Sequence, residues 1–250
     1  MNHVDVLSAF AAQRVIPVLR SSTLADALAT ARVLASEGLA AVELTTSVPD
    51  VLTGVETLRR EGLVVGLGTV RDAATVGAAA QAGAAFVVSY FHPEEFMPAA
   101  RESGVLGIPG AFTPHELQAA TSAGATLAKL FPAWQSSPRL IQDLAPLMPS
   151  LRLFPSGGLD ASAVGAWLDA GAAAVGVGSD LGTVADHGSD GVRERVRTLL
   201  AVLPQTRAQQ AFADPQLLAD VVSAEADHRE AEHHKTGGAL FGPLSVNRTI

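Results

Sequence analysis

The sequence predicts an α/β protein: a (β/α)8 TIM barrel with a C-terminal extension. Eight short apolar segments rich in Val, Leu and Ile recur about every 20 to 25 residues, with helix-patterned stretches between them. Near-continuous apolar strands alternating with helices belong to a parallel sheet whose outer face is covered. Eight such units in about 180 residues fit a compact barrel. A doubly wound open sheet would instead carry a glycine-rich dinucleotide loop after its first strand, and Val15 to Ser22 contains no glycine.

Residues Val4 to Arg14 read as a short helix leading into the first strand, Val15-Ile16-Pro17-Val18-Leu19, which ends in Arg20. Ser22 or Thr23 can cap the next helix, Leu24 to Glu37, where apolar residues return at helical spacing and Gly38 ends it. Ala40 to Thr45 is the second strand and holds a carboxylate, Glu43. The pattern continues through Leu63–Thr69, Ala84–Ser89 and Val105–Gly110, then Thr126–Pro132, Leu151–Ser156 and Ala173–Gly178. Glu194 to Leu203 reads as the last barrel helix, so the barrel domain spans residues 1–203. Residues 204–250 form the extension, helical or partly disordered and too short for a core of its own.

Composition narrows the function. The chain has 250 residues, 48% of them hydrophobic, a net charge of -8 and no basic cluster, which argues against a nucleic-acid partner. Without cysteine there is no disulfide, no thiolate catalysis and no cysteine-ligated zinc. His228, His233 and His234 lie on a charged helical stretch with no strict ligand spacing, so no metal site is expected. The N-terminus lacks the signal-peptide pattern and no apolar run reaches membrane-spanning length. The expectation is a soluble cytoplasmic protein with no membrane partner.

One strand carries a charge where strands rarely do. Thr126-Leu127-Ala128-Lys129-Leu130-Phe131-Pro132 is mostly apolar, and Lys129 is one of only two lysines in the chain. An ammonium taken out of water is costly unless paired or neutralised, and a neutral amine attacks carbonyls to form imines. Snorkelling to solvent or pairing with a carboxylate is the plainer alternative.

A barrel gathers its strand ends at one mouth, where active sites sit. That rule selects Arg20, Glu43, Thr45, Thr69, Ser89, Lys129, Ser156, Gly157, Gly158, Gly178 and Ser179. The set suits a 2-keto acid substrate. Lys129 offers the amine and Glu43 a general acid/base, while Arg20 with the Thr69 hydroxyl offers a carboxylate clamp. Ser156-Gly157-Gly158 and Gly178-Ser179 follow the last two strands, where barrels bind phosphate through glycine-turn amides. Asp180, directly after Ser179, would repel a phosphate unless it points away.

These segments resemble the class I aldolases that cleave 2-keto-3-deoxy-6-phosphogluconate and 4-hydroxy-2-oxoglutarate. The resemblance rests on Ile16-Pro17-Val18-Leu19-Arg20, Val42-Glu43-Leu44-Thr45, Gly66-Leu67-Gly68-Thr69-Val70 and Ile108-Pro109-Gly110 with Thr113-Pro114-His115-Glu116-Leu117. It continues in Lys129-Leu130-Phe131-Pro132-Ala133, Pro155-Ser156-Gly157-Gly158 and Val175-Gly176-Val177-Gly178-Ser179. It implies a homotrimeric barrel lyase without metal or organic cofactor. Lys129 would form a Schiff base, Glu43 would transfer protons, and Phe131 would join the substrate-binding residues. The products would be pyruvate and an aldehyde, glyceraldehyde 3-phosphate or glyoxylate, which places the reaction in carbohydrate metabolism of the Entner-Doudoroff type.

Four departures from the family's pattern stand out. Ser47 stands where many members have an arginine, Tyr90-Phe91-His92 replaces the usual proline after Ser89, Trp134 replaces a frequent glutamate, and Asp180 replaces a small or apolar residue beside the phosphate site. The competing readings are a phosphate-binding barrel isomerase or synthase without an imine, and a non-enzymatic trimeric assembly unit joined through the tail.

Overall fold

The computed structural model describes residues 2–203, so the extension expected over 204–250 lies outside the described residues. Strands and helices alternate as the sequence predicts. The first half comprises α1 (His3–Gln13), β1 (Val15–Leu19), α2 (Leu24–Ser36), β2 (Ala41–Thr45), α3 (Val51–Arg60), β3 (Val64–Gly68), α4 (Ala73–Gln81), β4 (Phe86–Val88) and α5 (Phe96–Ser103). The second half comprises β5 (Leu106–Ile108), β6 (Gly110–Ala111), α6 (Pro114–Ser122), β7 (Leu127–Leu130), α7 (Arg139–Leu144), β8 (Arg152–Pro155), α8 (Ala161–Asp169), β9 (Val175–Val177) and α9 (Val184–Ala201).

Every strand pair is parallel, in the orders β5-β4-β3-β2-β1-β9 and β6-β7-β8. The two runs join into one closed barrel. On one side β5 and β6 are pieces of the fifth barrel strand, interrupted at Pro109, which has no N–H to give the ladder. On the other side a bridge pairs Ser156 with Gly176, and the Ala173 amide donates to the Leu153 carbonyl at 2.9 Å.

Capping follows the sequence. The Thr23 side chain accepts from the Asp26 amide and starts α2, and Thr113 with Glu116 forms a capping box on α6. The last helix differs from expectation. It begins at Val184, ten residues before Glu194, capped by Thr183 and kinked at Gly188, where φ is 67°.

Strand alternation sorts side chains into two layers. Val42 and Leu44 of β2, and Ala128 and Leu130 of β7, join the hydrophobic layer under the helices. With a period of two, Glu43 and Lys129 therefore face the barrel interior. The closed end is sealed by α1, whose Phe10 ring meets Phe86 edge-on at 4.9 Å and lies 5.7 Å from Phe154. Gln13 fastens that helix to the sheet by donating to the Val15 and Ala41 carbonyls and accepting from the Ala41 amide.

Candidate active site

Glu43 and Lys129 come from opposite sides of the barrel and meet inside it. Lys129 Nζ donates to Glu43 Oε1 at 3.3 Å, and both side chains are buried. Register explains the room. Glu43 pairs with Gly66 on β3 and Lys129 with Gly110 on β6. A Cβ on Gly68 would overlap the Glu43 carboxylate, and one on Gly110 would overlap the Tyr90–Phe91 backbone. The bare position at Gly68 on β3 thus leaves space for the carboxylate, and the one at Gly110 on β6 lets the Tyr90–Phe91 backbone pass close by.

The pair is not saturated. Glu43 Oε2 is buried and has no hydrogen-bond partner among the described residues. A buried carboxylate oxygen without a donor is costly, and such a site retains it where a ligand proton can arrive. Above the amine, the Phe131 ring centroid lies 5.7 Å from Lys129 Nζ. Phe131 roofs the amine, and Tyr90, 6.4 Å from Phe131 and 4.9 Å from Phe91, continues a row of rings away from it.

A cavity of about 510 Å³ adjoins this roof and takes in the glycine turns. Phe131, Ser156, Gly157, Gly158, Gly178, Ser179 and Arg20, all expected from sequence, line it. Lys129 and Glu43 do not line it. Phe131 is the common wall between the amine and the cavity. Gly157 and Gly158 have φ of 94° and 69°, which favours glycine. Their amides and that of Ser179 have no acceptor among the described residues, as an anion cradle requires.

The remaining expected residues are spread along the mouth. Arg20 is exposed and shares the cavity with the glycine turns, whereas Thr69, after β3, does not border it. Thr69 has a left-handed φ of 63°, and its carbonyl accepts from the Thr46 hydroxyl at 3.2 Å. Ser89 is fully buried; its amide donates to the Ile108 carbonyl at 3.1 Å and its Oγ accepts from the Phe91 amide at 3.4 Å. Thr45 donates to the Leu19 carbonyl at 3.0 Å.

Sequence reasoning missed Thr183, Asp186 and His187, which complete the cavity wall at the start of α9. The signal was present as Thr183-x-x-Asp186, a capping pattern right after the last strand. Asp180, singled out as a source of repulsion, is not part of the wall, and its carbonyl accepts from Arg195 at 2.8 Å. The three first-turn amides of α9 are already taken: Val184 donates to Thr30 Oγ1, Ala185 to Asp26 Oδ1 and Asp186 to Thr183 Oγ1. An anion in this cavity is therefore served by the glycine turns rather than by that helix end.

Among the described residues no group of three or more His, Cys, Asp or Glu is placed to hold a metal ion, and no helix is long and apolar enough to cross a membrane.

Fold and site together define a (β/α)8-barrel enzyme with an amine–carboxylate pair at its centre. The KDPG and KHG aldolase family model matches residues 6–194, and the chain belongs to that family of carbon–carbon lyases. The chain is 36% identical over 149 residues to the 2-dehydro-3-deoxy-phosphogluconate aldolase of Pseudomonas aeruginosa, covering 58% of this chain and 68% of that protein. It is 31% identical over 170 residues to the 2-dehydro-3-deoxy-6-phosphogalactonate aldolase of Escherichia coli, covering 66% and 83%. The KDPG aldolase of Legionella pneumophila, solved with pyruvate captured as a covalent carbinolamine, superposes with a TM-score of 0.71 at 26% identity, covering 79% and 98%.

Proposed function

We propose that this protein is a class I aldolase that cleaves a 2-keto-4-hydroxy acid reversibly to pyruvate and an aldehyde through a Schiff base on Lys129. The observation that carries the reading is the buried Lys129–Glu43 pair at 3.3 Å, with one carboxylate oxygen left unpartnered.

The steps follow from those two groups. With Glu43 holding a proton in its place, the Lys129 amine adds to the C2 carbonyl to give a carbinolamine. Loss of water then gives the protonated imine. Glu43 takes the proton of the C4 hydroxyl as the C3–C4 bond breaks. The bonding electrons pass to the imine as an enamine and the aldehyde departs. Glu43 returns the proton to C3, and water hydrolyses the resulting imine to pyruvate and free Lys129. The Phe131 ring beside Lys129 Nζ, and the burial of both side chains, limit bulk water at the imine.

The aldehyde half extends into the cavity beyond Phe131. Arg20 with the free amides of Gly157, Gly158 and Ser179 suits a phosphate at its far end, as in a 2-keto-3-deoxy-6-phosphosugar acid. A 4-hydroxy-2-oxoglutarate-type substrate would place a carboxylate there. In this arrangement Arg20 serves the distal anion, and the Thr69 hydroxyl beside Gly68 is the donor offered to the pyruvyl carboxylate. The homotrimer expected from the resemblance accompanies this reading and is checked by the mass in solution.

Incubation with pyruvate and borohydride tests the chemistry: peptide mapping should find the reduced pyruvyl adduct on Lys129. An unmodified Lys129 under conditions where the enzyme turns over would sink the imine.

A further inference from the structure

We infer that Trp134 is a specificity residue whose indole face covers a flat apolar or aromatic group on the aldehyde half of the substrate. The inference rests on the aldolase reading and adds to it the chemical class of the acceptor.

Trp134 is 63% exposed, whereas the other tryptophan, Trp167, is 2% exposed. Tryptophan is a large apolar side chain that proteins usually cover over most of its area. This one is not at the tip of a free loop. Its amide donates to the Gly157 carbonyl at 3.2 Å, and the preceding amide, of Ala133, donates to the Ser156 carbonyl at 2.9 Å. Its Cδ1 and Cγ lie 2.7 and 2.9 Å from where a Cβ on Gly158 would sit, so the ring is laid against bare glycine backbone. The indole is therefore held in place with much of its surface open, in the wall of the cavity.

The wall runs continuously from the chemistry. The Phe131 ring is 5.7 Å from Lys129 Nζ, and its edge rests on Gly157 as Trp134 rests on Gly158. A substrate joined to Lys129 through C2 passes its aldehyde carbons along Phe131 and on to the indole. The cavity also has polar lining, in Arg20, Ser179 and Asp186. Those groups suffice for hydroxyls or an anion. To a chain of hydroxyls the indole offers a single N–H, and to a planar group it offers a whole face. Stacking of that kind is worth about tenfold in affinity, or roughly 1.4 kcal/mol.

The test is the aldol addition of pyruvate to benzaldehyde and to glyceraldehyde, by the full chain and by its Trp134→Ala and Trp134→Phe variants. The preference in kcat/KM for benzaldehyde over glyceraldehyde should drop about tenfold in Trp134→Ala and recover most of that in Trp134→Phe. Benzaldehyde should also shield tryptophan fluorescence from acrylamide, with buried Trp167 as the internal reference, and Trp134→Phe should abolish the shielding. Shielding without turnover on any 2-keto-4-hydroxy acid would leave the indole subsite standing and overturn the aldolase reading instead. An unchanged preference in Trp134→Ala, or a Trp134→Ala chain whose mass in solution falls because the ring packs against a second copy, would overturn the inference.

Discussion

Lys129 Nζ reaches Glu43 Oε1 across 86 residues of sequence, and the two side chains form a buried ion pair at the centre of the barrel. Removing one partner strands the other. Lys129→Met should cost about 3–5 kcal/mol of stability, because an uncompensated carboxylate remains buried. The double variant Lys129→Met/Glu43→Gln should regain most of that loss, and denaturant midpoints of the four proteins of the cycle measure it. Both variants lacking the amine should lose at least about 10³-fold in kcat/KM for pyruvate release.

Glu43→Gln keeps the shape of the carboxylate and removes its proton transfer. Turnover should fall about 10² to 10⁴-fold. Lys129 in this variant should still be trapped by pyruvate and borohydride, though more slowly. Loss of turnover with trapping on Lys129 retained separates a proton-transfer role from a purely structural one.

Gly68 is small because Glu43 needs the volume. A methyl group there would overlap the carboxylate, so Gly68→Ala should destabilise by about 1–3 kcal/mol through overpacking. It should also lower kcat, because Glu43 must swing away from Lys129. Thermal melts and pyruvate-release kinetics check the two effects on one sample.

Much of this was legible in the sequence, for a physical reason. Barrel strands are buried on both faces, so Val15–Leu19 or Val64–Gly68 reads as an apolar run whatever its neighbours. A charge inside such a run, as at Glu43 or Lys129, stands out at once. Their convergence at the mouth, and a charge pair between them, could be expected from barrel order; the 3.3 Å geometry could not, since it depends on strand register and on the bare position at Gly68. The fifth strand was read as one run, Val105–Gly110; its break at Pro109 was missed, although proline has no ladder donor. Thr183, Asp186 and His187 were missed because Gly188 and Gly191 interrupt the helical pattern and push the apparent start of α9 back to Glu194. Arg20 was read as a partner of Thr69, since both follow barrel strands and together suit a carboxylate. Its place beside the glycine turns follows from barrel closure, which brings β1 next to β9.

His92, in the loop after β4, has Nε2 buried without a partner among the described residues, and burial holds its imidazole below the ordinary value of about 6.5. The unfolded chain then binds this proton more readily than the folded one. Stability should be level above about pH 6.5 and decline as pH falls through that value, flattening below the folded-state value. His92→Phe should remove this part of the pH dependence, seen as a smaller drop in melting temperature between pH 7.5 and pH 5.5.

Arg20 is the exposed cation of the cavity, facing amides that lack acceptors. A charge-assisted hydrogen bond to an anion is worth about 1.5–3 kcal/mol, or roughly 10 to 100-fold. Arg20→Gln should therefore raise KM for a phosphorylated 2-keto-3-deoxy sugar acid by about that factor and affect its unphosphorylated counterpart far less. Gly157→Ala should act in the same direction, because φ of 94° and contact with Phe131 oppose a side chain and move the amide. Raising the ionic strength should weaken the phosphorylated substrate in wild type more than in Arg20→Gln, since screening acts only where the charge pair exists. Equal losses for both substrates in Arg20→Gln would return Arg20 to the pyruvyl carboxylate, which every substrate shares, and leave the distal anion to the glycine turns alone.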